Sequence, residues 1–263
     1  MGNYYYIISG LPDIGFDDSK AAYTVEQFRE EAYASLSAQD RKVMDILMLE
    51  NECRNLIGSE RMAELIAQVK ADETPDPTVP AFIYTFVREW IDESWRLKAA
   101  FAEDRLWGLF YEYAMGCSNG FVRRWYEYNL DMNNIMAAIT ARKYNLDMLK
   151  VIVGSNDTAN ALRTSGARDW GLSQEVECFE DVARLAEESD LSQRERKADM
   201  LRWRWLEENT FFNYFTIEKL FSFMVRLGMV ERWTSLDKEE GQKLFRKLIG
   251  NLKEQTEVPV EFR

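Results

Sequence analysis

The residues best placed for polar chemistry are two acid–asparagine pairs, Asp131 with Asn134 and Glu52 with Asn55, each three residues apart. At that spacing on a helix both side chains lie on one face, where a carboxylate accepts hydrogen bonds and a carboxamide both donates and accepts. Each member stands one place before a residue of an apolar stripe, and Glu127 shares the flanking register of Asp131. Such a pair can read a partner, or it can bridge neighbouring helices inside the fold. Polar residues beside a stripe ordinarily serve packing order, so the structural role leads.

Other polar segments carry weaker signals. Arg202-Trp203-Arg204-Trp205 has the composition of a stacking platform for single-stranded nucleic acid. Consecutive helical residues diverge, however, so the four do not form one patch. Trp205, four residues from Leu201, is expected in the core, with the arginines pairing to Glu195, Asp199 and Glu208. Glu175, Glu177, Glu180, Asp181, Glu187, Glu188 and Asp190 form an acidic region that reads first as a solvated helix face. Gly116-Cys-Ser-Asn-Gly120 and Gly154-Ser-Asn-Asp157 lack the Gly-Lys-Ser/Thr ending of a nucleotide phosphate loop and read as turns. A hydrolase built from helix-borne carboxylates is a third, weaker reading, because carboxylate separation is a three-dimensional quantity.

Composition narrows the chemistry further. The 263 residues contain no histidine, which excludes Ser–His and Cys–His nucleophilic systems and any imidazole metal site. Cys53, Cys117 and Cys178 are odd in number and far apart, so neither a disulfide framework nor a Cys-x-x-Cys zinc site is expected, and reduced buried thiols are. Net charge is −12, from 45 acids against 33 bases, which argues against nucleic-acid binding and against direct adhesion to an anionic membrane surface. No segment approaches the roughly 20 apolar residues of a membrane span. Met1–Leu11 lacks the basic start and apolar run of a signal peptide, so a soluble cytoplasmic protein is expected. No catalytic, cofactor-binding or metal-ligating residue is assigned, and the partner-binding residues are not identifiable.

The elements that must position these residues are helices. Phe121, Trp125, Tyr128, Met132, Ile135 and Ile139 form a stripe along a long helix ending near Lys143, and Ile46, Leu49, Cys53 and Leu56 form another. Thr24-Val-Glu-Gln27 fits a capping box for a helix over about Val25–Leu36, and Ser37 can cap the next, which runs to about Ile57 before Gly58. Ala71–Pro80 is a proline-rich linker, followed by a helix through Phe82, Phe86, Ile91 and Trp95, then one over Leu106–Ala114. Asn145–Gly171 is turn-rich. Helical patterning resumes over Gln174–Glu188 and Ser192–Glu208 and from Ile217 to a stop at Gly228. A last helix begins at Asp237 and Glu240 and ends near Gly250. Tyr4–Leu11 is a strand or a buried helical turn, and Val258–Phe262 is extended or disordered. The fold class is all-α: a multi-helix bundle with little or no sheet, in a single helical domain over 1–263. The 79-residue offset between the acid–asparagine pairs hints at pseudo-repeats over 1–74, 75–160 and 161–263. Near Thr210, where a third copy would fall, Ile217-Glu218-Lys219-Leu220 is the nearest approximation.

These segments resemble a known group. Asn3-Tyr-Tyr-Tyr-Ile-Ile-Ser-Gly-Leu-Pro12, Arg194-Glu-Arg-Lys-Ala-Asp-Met-Leu-Arg-Trp-Arg-Trp-Leu-Glu-Glu208 and Met229-Val-Glu-Arg-Trp-Thr-Ser-Leu-Asp237, followed by Gly241, resemble a bacterial family of helical proteins encoded within V-type ATPase operons. That family is itself similar to the V-type ATPase component designated C, known as d in the eukaryotic enzyme. Asp131-Met-Asn-Asn-Ile135 resembles the acid-x-x-Asn-Ile element that recurs in this component, and the capped Thr24–Leu36 helix resembles the element following its first repeat's start.

The resemblance implies a non-catalytic accessory subunit without cofactor or metal. It would join the central-stalk subunits to the membrane proteolipid ring in ion transport, and would sit in the cytoplasm, peripheral to the membrane through the complex. The alternative is a free cytoplasmic helical adaptor that binds another protein through Glu175–Asp190.

Overall fold

The reciprocal cap expected at Thr24 forms: Gln27 N donates to Thr24 Oγ1 at 3.1 Å, and Thr24 N donates to Gln27 Oε1 at 3.0 Å. Two helix-end amides are thereby satisfied by side chains. This geometry comes from a computed structural model, which describes residues 4–19, 23–92 and 99–255. Among the described residues there are twelve helices and no strand, so the fold is all-α.

In chain order the helices are α1 (Tyr5–Gly10), α2 (Val25–Ser35), α3 (Ala38–Leu56), α4 (Glu60–Lys70), α5 (Ala81–Ile91) and α6 (Ala99–Met115). They continue as α7 (Gly120–Tyr144), α8 (Met148–Val151), α9 (Asp157–Thr164), α10 (Phe179–Ala186), α11 (Leu191–Thr210) and α12 (Ile217–Gln255). Local chemistry sets most boundaries. Ser37, Ser59, Asn156 and Asp190 each place a side-chain oxygen on a first-turn amide. After α3, Gly58 turns the chain at φ +81°, where a side chain would be strained. Asn145 ends α7 in the left-handed region at φ 54°.

Several expectations are corrected. Of the two readings open for Tyr4–Leu11, the helical one holds over Tyr5–Gly10, but only Ile7 within it is buried. Helix α4 forms over residues where the sequence pattern predicts no element. Asn145–Gly171 contains two short helices, α8 and α9. Of the helix expected over Gln174–Glu188, only Phe179–Ala186 is regular, because Leu172 O receives both Glu175 N at 3.1 Å and Val176 N at 2.9 Å in a turn. Gly228 does not stop its helix: α12 runs unbroken for 39 residues. One interior glycine costs only about 1 kcal/mol relative to alanine, which flanking helix formers offset. Trp95 and the Val258–Phe262 tail lie outside the described residues.

The chain divides into two compact units, one made of residues 1–36 with 214–263 and the other of 37–213. In the first, α2 packs on α12: the Phe28 and Phe223 rings lie 4.9 Å apart, and Val25 N donates to Glu231 Oε1 at 2.9 Å. Tyr4 N donates to Phe215 O at 3.0 Å, holding the start of α1 to the residues that lead into α12.

In the second unit α7 is central, touched by α6, α8, α9, α10 and α11. Phe121, Trp125, Met132 and Ile135 of the expected stripe are buried, while Tyr128 and Ile139 are partly covered. Val122, Tyr126, Leu130, Ala138 and Ala141 are buried as well, so the covered surface is far wider than one stripe. Each large apolar side chain so buried contributes about 1.5–3 kcal/mol. Met132, Ile135 and Ala138 pack with Leu162 of α9 and with Phe179, Val182 and Leu185 of α10. Nearer the start of α7, Trp205 of α11 lies against the rings of Phe121, Trp125 and Tyr128 at centroid distances of 5.4, 5.5 and 5.4 Å.

Candidate functional site

Asp131 and Asn134 are both buried on α7, and both reach the connection that leads into α9. Asn134 Nδ2 donates to Val153 O at 2.8 Å, while its Oδ1 accepts from Val153 N at 2.9 Å. Asp131 Oδ1 accepts from Asn156 Nδ2 at 2.7 Å, and Asn156 Oδ1 in turn accepts from Ala159 N at 3.0 Å to cap α9. Between these two anchors the chain passes through Gly154 at φ +76°, where a β-carbon would lie 3.0 Å from Leu130 Cδ2. Glycine is required there for the left-handed turn and for the close approach to α7. The pair therefore braces the entry to α9, the structural alternative raised by its spacing.

The surroundings of Asp131 are unusual for an acid. Its carboxyl is pushed up to about 6 from an ordinary 3.8, chiefly by burial, with the charges of Glu127 and Asp157 adding to the rise. Hydrogen bonds from Asn156 and Thr158 act the other way. Both donors are neutral, which leaves the charged form poorly compensated.

The first acid–asparagine pair is used differently. Asn55 is exposed and donates from Nδ2 to Asn51 O at 2.9 Å within its own helix. Glu52 has a side-chain exposure of 40% and meets Arg61 only at 3.9 Å. Identical spacing on two helices has thus produced one internal brace and one surface pair.

A second polar centre joins α11 to α7 through Arg202. Its Nε donates to Asn129 Oδ1 at 2.8 Å, Nη1 to Asp199 Oδ1 at 3.1 Å and Nη2 to Asn133 Oδ1 at 3.0 Å. Asn133 continues the chain by donating to the Tyr111 hydroxyl of α6 at 3.2 Å. The Asp199 partner was legible from its i,i+3 spacing; Asn129 and Asn133 were not, since they lie far away in sequence. Trp203 and Trp205 are both buried and Arg204 is exposed, so the Arg-Trp-Arg-Trp run forms no stacking platform.

The remaining candidates take ordinary places. In the acidic region Glu175, Glu177, Glu180, Glu187 and Asp190 are exposed, Asp181 pairs with Arg184, and Glu188 pairs with Lys197 at 2.5 Å. Asn119 of the Gly116–Gly120 turn caps α7 by accepting from Phe121 N at 3.0 Å and Val122 N at 3.1 Å. Cys53 and Cys178 are buried free thiols, both pushed up to about 12 by burial and then by neighbouring carboxylates. Among the described residues no group of three or more Cys, Asp or Glu is placed to hold a metal ion, and no helix is long and apolar enough to cross a membrane.

Residues 1–256 match the family described as "Protein of unknown function (DUF2764)". The chain belongs to the DUF2764 family. No curated protein and no solved structure matches it. Within this DUF2764 member, the brace at Asp131–Asn134 and the Arg202 centre share one helix, and together they fix α7 to α6, the α9 entry and α11.

Proposed function

We propose that the chain is a non-catalytic coupling subunit of a rotary V-type ATPase, linking the central stalk to the membrane proteolipid ring during ion transport. The observation that carries this reading is the use of the acid-x-x-Asn-Ile element on α7. Asp131 and Asn134, which resemble an element recurring in the C component of V-type ATPases, serve as an internal brace between α7 and the approach to α9. A part that transmits force needs helices locked to one another by satisfied polar bonds and dense packing. The resemblance of residues 3–12, 194–208 and 229–237 to proteins encoded within V-type ATPase operons supports the specific assignment.

The test is recovery from native membranes. Under this reading, affinity-tagged protein purified in mild detergent brings rotor and catalytic ATPase subunits with it, and deletion lowers ion pumping per ATP hydrolysed. A tagged chain that recovers no ATPase component, with pumping unchanged on deletion, would overturn it.

A second reading, a free cytoplasmic adaptor, draws on the exposure of Glu175, Glu177, Glu180, Glu187 and Asp190. These residues offer a basic protein partner a concentrated acidic surface. Exchanging them for glutamines (asparagine at Asp190) separates the readings: the adaptor loses its partner, whereas the coupling subunit keeps its association with the ATPase.

A further inference from the structure

Beyond Ala141, the last buried residue of α7, the chain is mostly exposed, with Met148 and Val151 alone still packed against the core. None of the ten residues from Arg142 to Val151 is buried. The turn is closed by Leu146 N donating to Ala141 O at 2.8 Å, with Asn145 in the left-handed region. Three large apolar side chains project from it: Tyr144 is 64% exposed, Leu146 54% and Leu149 66%. Single exposed apolar residues need no explanation, but three within six residues form a patch.

Charge at this patch runs against the rest of the chain. Between Arg142 and Val151 three bases stand against one acid, whereas the whole sequence has 45 acids and 33 bases. The Arg142 guanidinium lies 3.7 Å from the Trp170 ring and donates to the carbonyl oxygens of Ala167 and Arg168, bringing the exposed Arg168 alongside. Lys143 Nζ lies 5.7 Å from the Tyr144 ring. Lys150 has a side-chain exposure of 63% and meets Asp147 at 3.5 Å, a solvated pairing that constrains it little.

We infer that the Arg142–Val151 segment is a membrane-surface contact, inserting Tyr144, Leu146 and Leu149 among anionic lipid headgroups while Lys143, Lys150 and Arg168 meet the phosphates. A tyrosine with leucines, flanked by lysines whose apolar stems can lie along the surface, is the combination an interface between water and lipid selects. Charge complementarity favours anionic lipid over a neutral surface. Arg142, Lys143, Lys150 and Arg168 stand against Asp147 and Asp169, so the local balance is net positive. This contact is independent of the coupling role proposed above.

The experiment is co-sedimentation of the whole chain with phosphatidylcholine vesicles, with and without phosphatidylglycerol. Binding is expected only with the anionic lipid and should weaken as salt is raised. Leu146→Ser/Leu149→Ser and Lys143→Glu/Lys150→Glu should each reduce partitioning by about tenfold or more. Their helical circular dichroism and urea midpoints should remain at the wild-type values. Absence of wild-type binding, binding indifferent to lipid charge, or full retention by both variants would each overturn the inference. Should wild type ignore vesicles while the variants lose an ATPase component, the patch is a protein contact instead.

Discussion

Asn134 returns both ends of its carboxamide to the backbone of one residue, Val153, donating to its carbonyl at 2.8 Å and accepting from its amide at 2.9 Å. A single side chain thereby does for the approach to α9 what a pair of ladder bonds does in a sheet. It is 2% exposed, so water cannot easily replace it.

Truncating it should be costly. Asn134→Ala removes two hydrogen bonds and leaves the Val153 amide and carbonyl without this partner, a loss of about 2–4 kcal/mol. Urea unfolding monitored by circular dichroism measures the shift; a midpoint at the wild-type value would mean the clamp contributes nothing to stability.

Asp131 should make stability depend on pH in the direction opposite to an ion-paired carboxylate. Its folded-state carboxyl titrates near 6 and its ordinary value is 3.8, so the native state binds the additional proton between those pH values. Stability therefore falls as pH rises from about 4 to 6 and then levels. Asp131→Asn, which keeps an acceptor for Asn156 and gains a donor of its own, should stabilise the protein at pH 7 by up to about 3 kcal/mol. The advantage should shrink towards zero near pH 4. Unfolding curves at pH 4, 5, 6 and 7 for both proteins give the comparison, and a gain that does not change with pH would refute the assignment.

Arg202 holds three acceptors, one of them a carboxylate only 4% exposed. Arg202→Leu removes three hydrogen bonds, one of them charge-assisted to a buried carboxylate, and should cost about 2–4 kcal/mol. The double variant Arg202→Leu/Asp199→Leu should lose less than the sum of the two single variants, because the ion pair is removed only once. A double-mutant cycle on unfolding free energies reads the coupling, and purely additive losses would contradict it.

The two acid–asparagine pairs should respond unequally. Glu52→Ala and Asn55→Ala, at solvated positions, should each stay within about 0.5 kcal/mol of wild type. Losses comparable to that of Asn134→Ala would show that the first pair is also a brace.

At Gly228, α12 gains nothing from glycine's freedom. A β-carbon there would meet Val25 Cγ2 at 3.9 Å, an ordinary contact, so Gly228→Ala should stabilise the protein by about 0.5–1 kcal/mol. A raised Tm tests this, and a lowered one would show that α2 needs a closer approach.

Much of the local architecture was legible because its causes act over a few residues. Thr24 with Gln27, Ser37 before α3 and the four-and-three spacing on α7 each bind or bury within one or two helical turns, and each appears where the pattern places it. The regular part of α10, the passage of α12 through Gly228 and the helicity of Tyr5–Gly10 were less legible, since weak local preferences there yield to packing. The candidate site marks the boundary most clearly. Sequence supplied Asp131, Asn134, Glu52 and Asn55 in matching patterns, and by itself it determined an all-helical chain without histidine chemistry. Only the tertiary structure decided that one pair is buried and the other solvated. Burial depends on what crosses the helix from elsewhere, here Val153 at 19 residues from Asn134 and Arg202 at 73 residues from Asn129, and such long-range pairings leave no periodic trace along the chain.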